Sequence, residues 1–469
     1  MTHPAKRLVL AAMCLGTFMA ILDTSLVNLG LHSIEADLHA DIAALQWVID
    51  LYNLVYAAFI MTGGTLGDLY GRRRLFLLGC LVFAAGSLVC ALAPSVGVLV
   101  IGRGIAGLGA ALELPAALAI LNVTFPETRE RARAIAIWAA MNGLAMAIGP
   151  TLGGLLVDAF GWRSLFYGIL PVAAATLGLG LLVPETASPK GRHLDLPGQI
   201  LAVLALGTLC VGVIEGPAWG WRSAPVLGCL AACLASAAAF IGVERRSSSP
   251  LVPLAVFRNP PFAAAIADAG LMTFGMYGLL FVLPLYLQAV RHDAAAVAGL
   301  ELLPMSLTFF IVSPTAGRVA TTLGPRLLIA GGMALAALGL FALAVLSAGT
   351  GYVVIALALF AIGVGLGLIT GPIATAAVAN APAARSGMSS GLVNVGRMLG
   401  ATLGVAILGI LFGGNAKAAA ADPPRFLAGL HASFLIGGCV ELAGALIAIL
   451  WFRRHSLETA DRRAAMAER

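Results

Sequence analysis

Long apolar runs separated by short polar segments follow one another along the whole of this chain. A helix that crosses a bilayer needs roughly 20 mostly apolar residues, and fourteen runs in the sequence come close to that length. They lie at 8–31, 45–66, 75–93, 96–121, 134–157, 163–183, 196–215, 224–243, 262–290, 297–316, 326–347, 351–379, 387–413 and 430–452. The pattern therefore predicts an all-α, polytopic membrane protein with fourteen spans.

Composition indicates the same class. Of the 469 residues, 60% are hydrophobic and 11% are charged, whereas a soluble domain carries about 25% charged residues. A soluble core could not bury so large an apolar fraction. The seven cysteines fall inside apolar runs, without the spacing of disulfides or metal ligands. We therefore expect a lipid bilayer around the chain, no metal or organic cofactor, and no nucleic-acid partner despite the net charge of +6.

The basic residues predict how the spans are oriented. An even number of spans puts both termini on one side of the membrane. If that side is the cytoplasm, 21 lysines and arginines fall in inner segments and 5 in outer segments. Basic residues concentrate in cytoplasmic loops, so both termini are predicted to be cytoplasmic. The two remaining arginines, Arg103 and Arg397, lie inside spans.

Two loops share a pattern that indicates an internal repeat. The loop after the second run reads GGTLGDLYGRRRL (63–75), and the loop after the tenth reads AGRVATTLGPRLL (316–328). The matching positions are Gly64, Gly71 and Arg73 in the first loop and Gly317, Gly324 and Arg326 in the second. Two similar halves in parallel orientation suit a two-bundle transporter.

The repeat and the polar segments divide the chain into five parts. We predict an N-terminal six-helix bundle (1–187), an inserted two-helix hairpin (192–245), a cytoplasmic linker (246–261), a C-terminal six-helix bundle (262–455) and a cytoplasmic tail (456–469).

An acidic residue interrupts the first apolar run, in the segment FMAILDTSLVNLGL (18–31). Asp23 lies eight residues before the outer end of its run, and Arg103 lies seven residues after the outer start of the fourth run. At about 1.5 Å per residue, both are roughly 10–12 Å below the outer surface, and they can pair if their helices touch. An arginine stabilises an ionised carboxylate and desolvation opposes it. Asp23 is therefore a candidate proton carrier, the alternative being a structural aspartate.

Other charged residues inside spans are candidates too. An ionised acid at the centre of a membrane helix costs at least about 2.5–3.5 kcal/mol. Glu113, eight residues before the inner end of the fourth run, is predicted to bind protons or cationic substrate together with Asp23, unless it is structural. Arg397 and Glu441 both fall near mid-membrane, and we expect them to form a buried structural pair. Five residues nearer span ends are expected to reach headgroups or water: Asp50, Glu215, Asp268, His292 and Glu301.

Three motifs follow one another along the first five runs, and the first is LDTSLVN (22–28). The second is the loop after the second run, with Gly64, Gly67, Asp68, Gly71, Arg72 and Arg73. The third is GLAMAIGPTLGG (143–154), with Gly143, Gly149, Pro150, Gly153 and Gly154. With these motifs in this order, nearly the whole chain resembles the fourteen-span drug:proton antiporters of the major facilitator superfamily.

The resemblance implies a fold and a function. The fold would be two six-helix bundles plus two extra central membrane helices, rocking around a central cavity by alternating access. The function would be export of hydrophobic or cationic small molecules, such as drugs and antibiotics, across the bacterial cytoplasmic (inner) membrane in exchange for protons. A monomer would suffice. The alternatives are a dedicated exporter of one metabolite or antibiotic, a solute importer, and a membrane enzyme or receptor. The sequence holds no catalytic constellation that supports the enzyme.

Two of the motifs have physical roles that can be predicted. The loop motif would latch the cytoplasmic side shut, with Asp68 bonding Arg72 or a helix N-terminus and the basic run pairing with Glu127, Glu130 or anionic lipid. In the fifth-run motif, Pro150 interrupts the helical hydrogen-bond ladder, and the glycines clear one face for close packing. We expect a hinge or seal there, at the interface between the halves.

Overall fold

The computed structural model describes residues 3–187, 194–247, 250–347, 349–380, 386–413 and 422–452, and nearly all of these residues are helical. The first part contains α1 (His3–Leu38), α2 (Ile42–Tyr70), α3 (Arg72–Ala91), α4 (Val96–Thr124), α5 (Thr128–Phe160) and α6 (Arg163–Gly180). The middle part contains α7 (Leu196–Ile214), α8 (Gly216–Trp219), α9 (Ala224–Arg246) and a 3₁₀ turn (Leu254–Arg258). The last part contains α10 (Pro260–Ala289), α11 (Ala295–Glu301), α12 (Leu303–Leu323), α13 (Pro325–Leu343), α14 (Tyr352–Ala379), α15 (Ser386–Phe412) and α16 (Pro423–Trp451).

The number of spans agrees with the hydropathy pattern. Within the described ranges, 13 helices are long and apolar enough to cross a membrane. The short α11 and the adjoining α12, bent by 40°, make up one more span, which confirms the predicted fourteen. The bend follows from Pro304 in the first turn of α12, because a proline has no N–H to donate to the carbonyl of Leu300.

The spans assemble into two bundles. One bundle consists of α1–α6 and the other of α10–α16. The bundles meet where α2 packs on α15 and where α5 packs on α11 and α12, with α1 touching α10 between these seams. Outside the bundles, α7 packs against α2 and α15, and α9 packs on α7. This is the predicted architecture of two six-span bundles with two additional membrane helices.

Glycine pairs bring α3 and α4 into backbone contact. A Cβ at Gly109 would lie 2.7 Å from the carbonyl oxygen of Gly79, and one at Gly86 would lie 2.8 Å from that of Gly102. In lipid there is no hydrophobic driving force between helices, so van der Waals packing of small residues contributes much of the stability of helix association. The fourth helix, which carries Arg103 and Glu113, is thereby held firmly against its neighbour.

The two matching loops adopt the same kind of turn. Gly71 ends α2 directly before α3, and Gly324 ends α12 directly before α13. Their φ angles are +112° and +80°, in the region that glycine tolerates and other residues rarely adopt. The shared turn supports the internal repeat predicted from the sequence.

Candidate functional site

A buried ion pair joins α1 to α4 in the first bundle. The Arg103 guanidinium donates through Nη1 to Oδ2 of Asp23, and both side chains are about 1–2% exposed. Arg103 also donates through Nε to the carbonyl oxygen of Val48 on α2, at 2.9 Å. Its guanidinium lies 4.5 Å from the ring centroid of Tyr52, a cation–π contact. The sequence placed Asp23 and Arg103 at equal depth, and in the structure the two residues form an ion pair. Together with the bond to Val48, this pair connects α1, α2 and α4.

Next to Asp23, the helix α1 packs against the glycine-rich motif of α5. A Cβ at Gly149 would collide with Ser25, and one at Gly153 would lie 3.0 Å from the carbonyl oxygen of Leu26. The residues that follow Asp23 are therefore in direct contact with the motif. A movement of α1 at Asp23 would directly change the packing of α1 against α5.

The opposite face of the same motif packs against the second bundle. A Cβ at Gly154 would collide with the carbonyl of Ala295 on α11, and one at Gly299 would collide with that of Pro150. Nearer its start, α5 meets α12, where a Cβ at Gly143 would lie 3.3 Å from the ring of Phe310. The predicted position of the motif at the interface between the halves agrees with these contacts.

Hydrogen bonds also join the two bundles at the end of α5 that follows the glycine-rich motif. The carboxylate of Asp158, near the end of α5, accepts from the backbone N–H groups of Ala295 and Ala296 at 3.1 and 2.8 Å. These N–H groups belong to the first turn of α11, where they have no helical acceptor. We call this end of the molecule the Asp158 end, and the end at which α2 joins α3 the Gly71 end.

Glu113 lies inside the first bundle. Its side chain is fully buried between α1 and α3, beside Gly16 and Phe76. Neither carboxylate oxygen has a hydrogen-bond partner of ordinary geometry, and the Cys80 thiol, a weak donor, lies close by. Gly16 and Asp23 are seven residues apart on α1, so the two acids are separated by about 10 Å along that helix.

Tyr52, Tyr56 and Tyr277 form a group at the centre of the molecule that we call the tyrosine cluster. The ring of Tyr52 stacks on that of Tyr56, with centroids 6.4 Å apart and planes at 27°. Tyr277, on α10 of the other bundle, interacts with both and lies against Thr24, the neighbour of Asp23. The cluster therefore connects the Asp23–Arg103 pair to the second bundle.

Arg397 on α15 lies at the other end of the tyrosine cluster from Arg103. The sequence predicted that Arg397 pairs with Glu441, and that prediction is wrong. Within the described part of the chain, its one hydrogen bond runs from Nη2 to the carbonyl oxygen of Thr370, at 3.2 Å. Its electrostatic neighbours are Tyr56 and Tyr277. Glu441 instead lies against Gly275 on α10. The two side chains therefore contact different helices, Arg397 meeting α14 and Glu441 meeting α10.

The acids near span ends divide into two groups. Asp50 and Asp268 are fully buried and their carboxylates make no hydrogen bond in the described structure, so the expectation that they reach water is wrong. Asp268 lies near Glu441. Glu215 accepts from the indole N–H of Trp47 at 2.8 Å, and Glu301 pairs with Arg291 at 3.4 Å.

The loop motif at the Gly71 end forms a compact cluster. Oδ1 of Asp68 accepts from Nε and Nη2 of Arg72 at 2.9 and 2.7 Å, as predicted. The partner of the basic run is Glu185, after α6, whose carboxylate accepts from the backbone N–H groups of Arg73 and Arg74 at 3.0 and 3.1 Å. Of the partners predicted for that run, Glu130 pairs with Lys6 on α1 at 2.6 Å.

Sequence reasoning missed several of these contributors. Asp158 and Glu185 cap the first turns of α11 and α3, a role that only the assembled bundle reveals. The tyrosines carried a readable signal, because Tyr52 and Tyr56 are four residues apart within one apolar run and share a helix face.

Comparisons with known proteins agree on one family. A family model described as the Major Facilitator Superfamily matches residues 13–405. The Multidrug resistance protein Stp of Mycobacterium tuberculosis is 42% identical over 403 residues, which cover 86% of this chain and 75% of the relative. The Tetracenomycin C resistance and export protein of Streptomyces glaucescens is 37% identical over 404 residues, with coverages of 86% and 75%. The Methylenomycin A resistance protein of Streptomyces coelicolor is 32% identical over 429 residues, with coverages of 92% and 90%.

A solved structure shares the fold. The crystal structure of the peptide transporter POT in complex with sulfate aligns with a TM-score of 0.68 over 94% of each chain, at 18% sequence identity. At that identity, the likeness concerns the arrangement of helices.

Proposed function

Since the chain belongs to the major facilitator superfamily, we propose that it is a proton-coupled antiporter that exports hydrophobic or cationic small molecules, including antibiotics, across the bacterial cytoplasmic membrane. The observation that carries this proposal is the buried Asp23–Arg103 pair, which lies between the tyrosine cluster and the glycine-rich motif of α5. The names of the relatives, which include multidrug resistance and antibiotic export, support the direction of transport and the kind of substrate.

The pair offers a mechanism for coupling. A proton bound at Asp23 removes the negative charge and weakens the bond to Arg103, so that α1 is released from α4. Because Ser25 and Leu26 on α1 pack against Gly149 and Gly153 on α5, a movement of α1 changes the packing of α5 on α11. Protonation would thereby loosen the contacts that join the bundles at the Asp158 end and let substrate leave there.

Glu113 is the second proton site of the proposal. A fully buried ionised carboxylate without hydrogen bonds is costly, whereas a proton on it removes the charge. The site lies about 10 Å from Asp23 along α1, so the two acids could hold protons at different stages of the cycle.

The orientation completes the proposal. We propose that the Gly71 end faces the cytoplasm, that both termini lie there, and that the Asp68–Arg72 and Glu185 contacts hold that end shut until it opens inward. We also retain the boundaries 1–187, 192–245, 246–261, 262–455 and 456–469 as a proposal, and a monomer as the working unit.

A dedicated exporter is the second candidate function. Two relatives are each named for resistance to a single antibiotic, tetracenomycin C and methylenomycin A, and the same machinery would serve one substrate equally well. A panel of unrelated fluorescent drugs tests breadth. Transport of one chemical type alone would favour the dedicated exporter.

Everted membrane vesicles, energised to be acid inside, test the function itself. We expect dye uptake and substrate-induced proton efflux with the wild type. Asp23→Asn should abolish the proton efflux while substrate binding persists, with Arg425→Gln, an exposed arginine of α16, as the control. If Asp23→Asn and Glu113→Gln both coupled normally at equal expression, Asp23 would be structural and the proposed coupling would be refuted.

A further inference from the structure

Arg397 is a partly buried cation that pairs with no carboxylate of the described residues. Its Nε is buried and has no hydrogen-bond partner, and its Nη2 is bonded to a helix carbonyl, that of Thr370. In the described part of the chain, no carboxylate forms an ion pair with it, and the groups that face it are the phenols of Tyr56 and Tyr277. A charge that is largely removed from water is costly unless a partner of opposite charge completes the site.

Arg397 lies where a negatively charged group of a transported substrate can reach it. Its side chain is part-exposed, and it lies where the bundles meet, between α2 of the first and α10 and α14 of the second. Tyr56 and Tyr277 both fall near the middle of their helices. The guanidinium therefore lies at the level of the membrane centre, where transporters of this architecture place their substrate.

A small apolar cavity of 10 Å³, room for about one water molecule, lies where the bundles meet. Its lining is Met146, Met276, Met305, Ser306, Phe309 and Leu366, contributed by α5, α10, α12 and α14. Met276 is adjacent in sequence to Tyr277. Leu366 is one helical turn before Thr370, or about 6 Å along the axis. Methionine side chains adapt to apolar groups of different shapes.

We propose that Arg397 binds an anionic oxygen group of the substrate, a carboxylate. A guanidinium presents a planar fork of donors that fits a carboxylate, and phenol hydroxyls donate to the same anion. The preferred substrates are then amphipathic organic acids. This inference rests on the proposed function. Of the hydrophobic or cationic substrates proposed there, it selects hydrophobic molecules that carry an acid group over cationic ones.

The selectivity has a clear physical basis. An organic acid provides the missing countercharge for Arg397, whereas its neutral ester offers a weaker acceptor and a quaternary ammonium compound is repelled. A hydrogen bond to a charged group commonly corresponds to a tenfold or larger difference in affinity, about 10–150-fold. We therefore expect the acid to bind at least about tenfold more tightly than the ester.

Binding of a matched probe set tests the inference without requiring transport. The full-length chain in lipid nanodiscs would be titrated with 1-pyrenebutyric acid, its methyl ester and the corresponding trimethylammonium compound. Energy transfer from protein tryptophans reports binding, with empty nanodiscs as the blank. In Arg397→Gln the preference for the acid over the ester should disappear while affinity for the ester is kept. In Arg425→Gln, which removes an exposed arginine of α16, the preference should remain.

Each outcome is decisive. If the wild type binds acid and ester equally, or if Arg397→Gln keeps the preference, the inference is overturned. If Arg397→Gln does not fold, the wild-type ratio still decides, and Tyr56→Phe, which removes one hydroxyl, should lower it. A loss of affinity for all three probes in Arg397→Gln would indicate a structural arginine and would also contradict the inference. Failure of proton-coupled uptake in vesicles, with the acid preference intact, would refute the proposed function and leave the binding site standing.

Discussion

The two membrane-embedded arginines of the molecule have opposite surroundings. Arg103 holds an aspartate, a helix carbonyl and the face of Tyr52. Arg397, at the other end of the tyrosine cluster, holds a helix carbonyl and faces two phenols. The first bundle thus contains the countercharge of its arginine, which a proton can neutralise. Among the described residues of the second bundle no carboxylate pairs with Arg397, so a substrate can supply that charge. The halves share a fold, but their central chemistry is complementary.

The largest expected effect comes from breaking the complete pair. Arg103→Gln or Asp23→Leu removes one partner of a buried ion pair, and we expect a loss of about 3–5 kcal/mol in the free energy of unfolding. The double variant should lose less than the sum of the single variants, because it leaves no charge unpaired. Denaturant titration in detergent measures all three. Simple additivity would show that the two residues are not coupled.

Substitutions at Tyr52 and Tyr56 should have intermediate effects, and they too compare the surroundings of Arg103 with those of Arg397. Tyr52→Leu removes the aromatic face on Arg103 and should cost about 0.5–2 kcal/mol. Tyr56→Leu should cost less in stability, since its ring stacks on Tyr52 rather than on a paired arginine. Substrate affinity should respond in the reverse order. Equal effects of both changes on both quantities would contradict the division of roles.

Arg397→Gln should behave unlike any change at Arg103. The hydrogen bond to Thr370 contributes about 0.5–1.5 kcal/mol, and removal of an unpaired buried charge offsets that loss. We expect the free energy of unfolding to stay within about 1 kcal/mol of the wild type. Thermal unfolding in the same detergent measures the change. A loss as large as that of Arg103→Gln would mean that Arg397 has a countercharge after all.

The smallest expected effect lies at the Gly71 end. Asp68 and Arg72 form an i,i+4 pair at a helix junction, and such pairs contribute about 0.2–0.5 kcal/mol to a helix. Asp68→Asn should therefore barely alter stability, while it changes the rate of transport if the contact is a gate. Turnover in vesicles at matched expression is the measurement. Unchanged turnover would reduce the loop to a determinant of topology.

The sequence predicted the fold and one half of the site, and the reason is geometric. Span limits follow from hydropathy, and depth follows from the helical rise, so Asp23 and Arg103 could be matched before any contact was known. Depth does not determine which way a side chain faces around its helix. For that reason the sequence paired Arg397 with Glu441, and it did not show that Asp268 is buried. The bend at Pro304 likewise lies within a run that hydropathy reads as one span.

In the proposed mechanism, Asp23 releases its proton when substrate binds. Purified wild-type protein in weakly buffered detergent solution, mixed with a transported dye, should release protons that a pH indicator detects. We expect Asp23→Asn to bind the dye and release markedly fewer protons, while Arg425→Gln releases as many as the wild type. Undiminished proton release from Asp23→Asn would show that the coupled proton is not held by Asp23.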